Sequence, residues 1–85
     1  YWLGEAHYVQ KDYTAALRAF QDVLEKFPES TKAADAMLKV GFSQYELKAY
    51  RNARATLEKV VAGYPGTDAD RLARERLARM DVERR

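Results

Sequence analysis

Residues 13–28, YTAALRAFQDVLEKFP, and residues 50–65, YRNARATLEKVVAGYP, decide the fold. In the first stretch apolar residues fall at Tyr13, Ala16, Leu17, Phe20, Val23, Leu24 and Phe27. Steps of three and one place them on one stripe of a 3.6-residue helix. The second stretch repeats the stripe at Tyr50, Ala53, Leu57, Val60, Val61 and Tyr64. Pro28 and Pro65 follow, and proline disfavours helical geometry in the residue before it and donates no hydrogen bond. Each stretch therefore reads as one helix that stops at its proline.

Working outward, the similarity extends on both sides. An offset of 37 residues superimposes Leu3-Gly4 on Val40-Gly41, Tyr8 on Tyr45, Lys11 on Lys48 and Phe27-Pro28 on Tyr64-Pro65, without a gap. A fixed period of this size marks a helical repeat. No strand-like alternation occurs, so the chain is expected to be all-α, with five helices at about 1–10, 12–27, 31–47, 50–64 and 68–83. Short connections force neighbouring helices to run antiparallel. Ser30 or Thr31 is placed to cap the third helix, and Thr67 with Asp70 resembles a capping box for the last. Ala16 and Ala53 sit where helices need a small residue. Gly4 and Gly41 fall inside helices, where glycine costs about 1 kcal/mol against alanine; close helix contact would offset that cost.

Composition narrows the function. The 85 residues are 47% hydrophobic and 33% charged, with no cysteine, which suits one globular domain and rules out a disulfide scaffold, a cysteine-ligated zinc site and a cysteine nucleophile. No apolar run approaches the ~20 residues of a membrane span, so no membrane insertion is expected. The chain opens at Tyr1 without an initiator methionine or a basic-then-apolar leader, and reads as an excised fragment, which leaves a removed targeting signal open. Its net charge of +2 sits in residues 70–85, where six arginines are interleaved with four acids. A nucleic-acid footprint needs basic residues gathered with few acids among them, so no nucleic-acid partner is expected.

Catalysis has little to build on. His7 is the single histidine, and no HExxH, glycine-rich phosphate loop or acidic calcium loop occurs. The expectation is a non-enzyme with no metal and no cofactor.

Leu3-Gly4, Tyr8, Asp12-Tyr13, Ala16, Phe20 and Pro28, repeated at Val40-Gly41, Tyr45, Tyr50, Ala53, Leu57 and Pro65, resemble the tetratricopeptide repeat signature. The usual unit has about 34 residues, and the excess here falls in the connection 28–32. The strings YWLGE (1–5), KAADAMLKVG (32–41) and ARATL (53–57) are similar to the C-terminal repeat domain of the Tol-Pal-associated periplasmic family YbgF, also called CpoB. That resemblance implies tetratricopeptide hairpins stacked as a short right-handed solenoid of about two and a half repeats. One domain would span 1–85, with repeat one at 1–28, repeat two at 29–65 and a capping helix at 66–85. It also implies a periplasmic location, TolA as protein partner, and a role in coordinating outer-membrane constriction with septal peptidoglycan synthesis during division. The second resemblance is to another tetratricopeptide scaffold, the helical-repeat lipoprotein of outer-membrane barrel assembly. Self-association is a third reading, from the apolar Tyr1, Trp2 and Leu3.

Lys11 and Lys48 stand where the signature prefers glycine, so a positive φ there implies modest strain. The 31–47 helix carries two stripes: Ala33, Ala36, Val40 and Leu47 face the paired helices, while Leu38, Phe42 and Tyr45, edged by Asp35 and Glu46, form another. In the first unit Tyr1, Glu5, Tyr8 and Val9 take equivalent places. Because first helices of tetratricopeptide units line a concave groove, the resemblance points Tyr1, Glu5, Tyr8, Val9, Leu38, Phe42, Tyr45 and Glu46 towards a partner-binding groove. Packing of Phe42 and Tyr45 against neighbouring helices is the competing reading. Tetratricopeptide domains that clamp a free C-terminus do so with Lys, Asn and Arg. Here those places hold Tyr1, Glu5, Phe42 and Leu72, with only Arg76 basic, so an internal, partly apolar partner segment is expected. Ala69, Ala73, Leu77 and Met80 give the last helix one narrow stripe, as a polar-faced cap requires.

Overall fold

The computed structural model describes residues 12–28 and 32–83. They form α1 (Tyr13–Lys26), α2 (Ala33–Glu46), α3 (Tyr50–Gly63) and α4 (Asp68–Glu83), with no strand among the described residues. These bounds agree with the expected helices to within two residues; the expected first helix, Lys11 and the candidate caps Ser30 and Thr31 lie outside the described residues. Each helix packs on the next, and α4 also touches α2. The arrangement is a small tetratricopeptide-like stack of helical hairpins.

Helix α2 is the wall shared by two cores. Its Ala36 and Val40 pack with Ala16, Phe20 and Val23 of α1. Its Leu38 and Phe42 pack with Ala53, Leu57 and Val60 of α3 and with Ala69, Ala73 and Met80 of α4. Two apolar stripes on one helix thus become two interfaces. Leu47, expected on the stripe facing the paired helices, instead lies beyond the end of α2 and is exposed.

The α2–α3 approach is close enough to require glycine. A β-carbon on Gly41 would lie 2.8 Å from Leu57 Cδ2 and 3.0 Å from Leu57 Cγ. Leu57 is fully buried and has no room to retreat. One turn on, the Thr56 hydroxyl donates to Gln44 Oε1 at 2.7 Å across the same interface.

Helix ends are closed by recognisable devices. Asp12 caps α1, its Oδ1 accepting from the Ala15 amide. After α2 the Ala49 amide donates to the Gln44 carbonyl and the Lys48 amide to the Tyr45 carbonyl, the bond pattern of a Schellman motif. Its left-handed residue is Lys48, with φ 65°. At α4, Thr67 Oγ1 accepts from the Asp70 amide at 3.1 Å. The Asp70 carboxylate reaches back to the Gly66 amide at 2.9 Å, one residue earlier than in a standard capping box. Gly66 has φ 83°, which brings its N–H round to that carboxylate. Arg74 Nε donates to the other Asp70 oxygen at 2.7 Å.

Three outcomes check this account. Gly41→Ala should lower stability by about 1–2 kcal/mol in urea melts, because overpacking against Leu57 outweighs the helix-propensity gain. Lys48→Gly should raise it by about 0.5–1 kcal/mol by relieving the left-handed backbone. The Gly66 hydrogen bond, then the Arg74 guanidinium, hold the Asp70 carboxyl below its ordinary value of 3.8, against a smaller opposing effect of burial. A depressed folded-state pKa stabilises above the unfolded value and is lost as pH falls through the folded one. Asp70→Asn should therefore be less stable than the parent at pH 7, with the difference closing as both are titrated below about pH 4.

Candidate functional site

The expected groove is only partly open in the folded chain. Tyr1, Glu5, Tyr8 and Val9 lie outside the described residues. Leu38 is 2% exposed and belongs to the core formed with α3 and α4, so it offers a partner no surface. Phe42 is 9% exposed, and the Arg76 guanidinium lies 4.3 Å from its ring centroid. Tyr45 is half-buried and Glu46 is exposed at the end of α2.

Tyr45 is the hub of this region. The Arg76 guanidinium stacks 4.8 Å from its centroid, so one cation bridges the two rings of α2. Tyr50 meets Tyr45 edge to face, with centroids 5.4 Å apart and an interplanar angle of 84°. The Tyr45 hydroxyl donates a hydrogen bond to the Glu83 carboxylate at the end of α4. A second tie, Arg54 to Asp81, joins the second turn of α3 to the last turns of α4.

Between these ties lies a cleft of about 690 Å³, lined by Tyr45, Tyr50, Arg51, Arg54, Met80 and Glu83. The sequence reading singled out Tyr45 as a groove residue and missed Tyr50, Arg51, Arg54 and Glu83 as site residues. A signal for two of them was present: under the 37-residue offset, Arg51 and Arg54 replace Thr14 and Leu17. Positions that depart from a packing repeat are those that packing leaves free. Met80, expected only on the core stripe, is buried and also lines the cleft.

The groups present suit recognition by contact. Among the described residues no three His, Cys, Asp or Glu side chains gather to hold a metal, and no helix is long and apolar enough to cross a membrane.

In a comparison with protein families, the model YfiO, described as an outer membrane lipoprotein, matches residues 1–74. The chain belongs to the YfiO family. A comparison with curated proteins finds no match. YfiO corresponds to the second of the two family resemblances read from the sequence, the outer-membrane helical-repeat lipoprotein. A YfiO assignment fits the tetratricopeptide-like stack, a scaffold that works through protein contacts, and a setting in the cell envelope. It singles out neither YbgF nor TolA.

Tyr45 offers a direct check on the geometry. Its hydrogen bond to Glu83, then burial and the Glu83 charge, raise its pKa above the ordinary 10.0, outweighing the opposing effects of Arg79 and Arg76. A raised folded-state pKa gives stability that is present below the unfolded value and lost as pH rises through the folded one. Glu83→Gln should bring the Tyr45 titration down towards 10.0, followed by the ring signals of Tyr45 in NMR spectra between pH 8 and about 12.

Proposed function

We propose that this chain is a non-enzymatic interaction module of the periplasm that binds TolA within the Tol-Pal system. It would thereby help to coordinate outer-membrane constriction with septal peptidoglycan synthesis. The observation that carries the assignment is the pairing of YWLGE at 1–5 with KAADAMLKVG at 32–41, which resembles the C-terminal domain of YbgF (CpoB) and extends beyond the shared tetratricopeptide pattern. The physical setting supports an interaction role. Tyr45, Tyr50 and Arg76 form an aromatic and cationic surface of the kind that dominates protein interfaces. The unit is read as a single domain of two hairpins and a cap, with the groove on the α2 and α4 side.

A second reading has its own support. The YfiO match favours a scaffold of outer-membrane barrel assembly, in which the same surface would hold another protein of that machinery. Self-association is a third reading to separate from both.

Calorimetric titration with the periplasmic part of TolA distinguishes them. Saturable binding in the micromolar range is expected, weakened roughly tenfold or more by joint Tyr8→Ala and Tyr45→Ala substitution with the helical circular dichroism retained. A folded chain that shows no heat of binding at high TolA concentration would remove the Tol-Pal reading and leave the barrel-assembly one. Light scattering over a range of concentrations should give a constant monomer mass; a rising mass would favour self-association.

A further inference from the structure

The cleft at the α2–α3 turn has a pronounced division of surface. Tyr45, Tyr50 and Met80 supply apolar walls, while Arg51, Arg54 and Glu83 supply the polar ones. Its volume falls within the ~300–1,000 Å³ typical of ligand pockets. Tyr50 is half exposed, so its ring is available to a visitor.

The charges around the cleft do not cancel locally. Glu83 accepts the Tyr45 hydroxyl hydrogen bond and pairs with Arg79. Asp81, the other acid on the last turns of α4, is held by Arg54. Both acids are therefore engaged. Around the cleft two guanidiniums, those of Arg51 and Arg76, have neither a carboxylate nor a hydrogen bond among the described residues. Arg51 lines the cleft itself. Arg76 stacks on Tyr45, one of the walls, so its plane is already oriented and its N–H edge remains available. A planar guanidinium held in this way loses little freedom when it donates to a carboxylate.

We propose that this cleft takes a segment of a partner protein in which an apolar side chain stands beside an acidic one. The apolar side chain enters between Tyr45, Tyr50 and Met80, and the carboxylate pairs with Arg51, with Arg76 receiving a second acid where one follows. Charge decides the occupant. A second copy of this chain carries +2 overall and would bring arginines to arginines, whereas an acidic segment is complementary. The proposal rests on the reading of the chain as a partner-binding module. It moves the binding site from the concave stripe that includes Leu38 to the turn between α2 and α3.

The test uses this chain, isotopically labelled, and two capped peptides followed by NMR to millimolar concentration. One is Gly-Leu-Phe-Asp-Glu-Gly and the other its amide counterpart, Gly-Leu-Phe-Asn-Gln-Gly. The acidic peptide should shift the Tyr50 and Arg51 amides and the Met80 methyl in a saturable way, and the amide peptide should bind roughly tenfold more weakly. Arg51→Glu and Tyr50→Ala, both at exposed positions, should each reduce acidic-peptide binding by a similar factor with circular dichroism unchanged. Equal binding of the two peptides, shifts confined to other residues, or no saturable shift would overturn the proposal. Dilution shifts of the same signals without peptide would also overturn it, in favour of a second copy.

TolA binding separates this proposal from the one it rests on. If TolA binds the parent and Arg51→Glu equally, the cleft is wrong and the module reading stands. If TolA does not bind but the acidic peptide saturates the cleft, the cleft stands and TolA is the wrong partner.

Discussion

At Gly41 a β-carbon would press into Leu57, and the absence of one lets α2 and α3 approach until Thr56 reaches Gln44. That spacing governs the second core. With α3 drawn in, Leu57 and Val60 are sealed against Leu38 and Phe42, and a shallow surface remains on which α4 can seat small residues. Ala69 and Ala73 are what such a surface accepts. A wider α2–α3 separation would leave voids around Leu57 and deprive α4 of its platform. The cleft depends on the same contact, because its walls come from the end of α2, the start of α3 and the end of α4.

Helix α4 has a narrow apolar stripe, and polar bonds at both ends compensate for it. The Thr67, Asp70 and Gly66 bonds fix its start, with Arg74 holding the free side of the Asp70 carboxylate. The Arg54–Asp81 pair and the Tyr45–Glu83 hydrogen bond fix its end. These bonds lie at or near the surface, where each contributes modestly. Their effect is positional: they set the register of Met80 and Glu83 against Tyr45, and so the shape of the cleft.

Most of the helical scaffold was legible because the repeat supplied two readings of each position. The 3.6-residue stripe and the prolines located α1 and α3, and the Thr67–Asp70 spacing located the start of α4. The left-handed backbone at Lys48 followed from the signature's preference for glycine there. What escaped was set by contacts between helices rather than along one. Leu38 belongs to a stripe that periodicity alone assigns equally well to a groove or a core; only the position of α4 decides for the core. The clustering of Tyr50, Arg51 and Glu83 depends on how antiparallel helices align end to end, which no single-helix period encodes. Leu47, expected on the stripe of Ala36 and Val40, falls one residue past the end of α2.

The sharing of α2 between two cores also bears on how the molecule comes apart. A solenoid in which each unit had its own core could lose an end and keep the rest. Here removing α1 uncovers Ala36 and Val40, and removing α3 and α4 uncovers Leu38 and Phe42, on the same helix. Neither half retains a fully covered α2, so nearest-neighbour coupling is strong relative to the stability of either flank. Such a chain unfolds as one unit, and a load applied at one end of the stack is felt thermodynamically at the other.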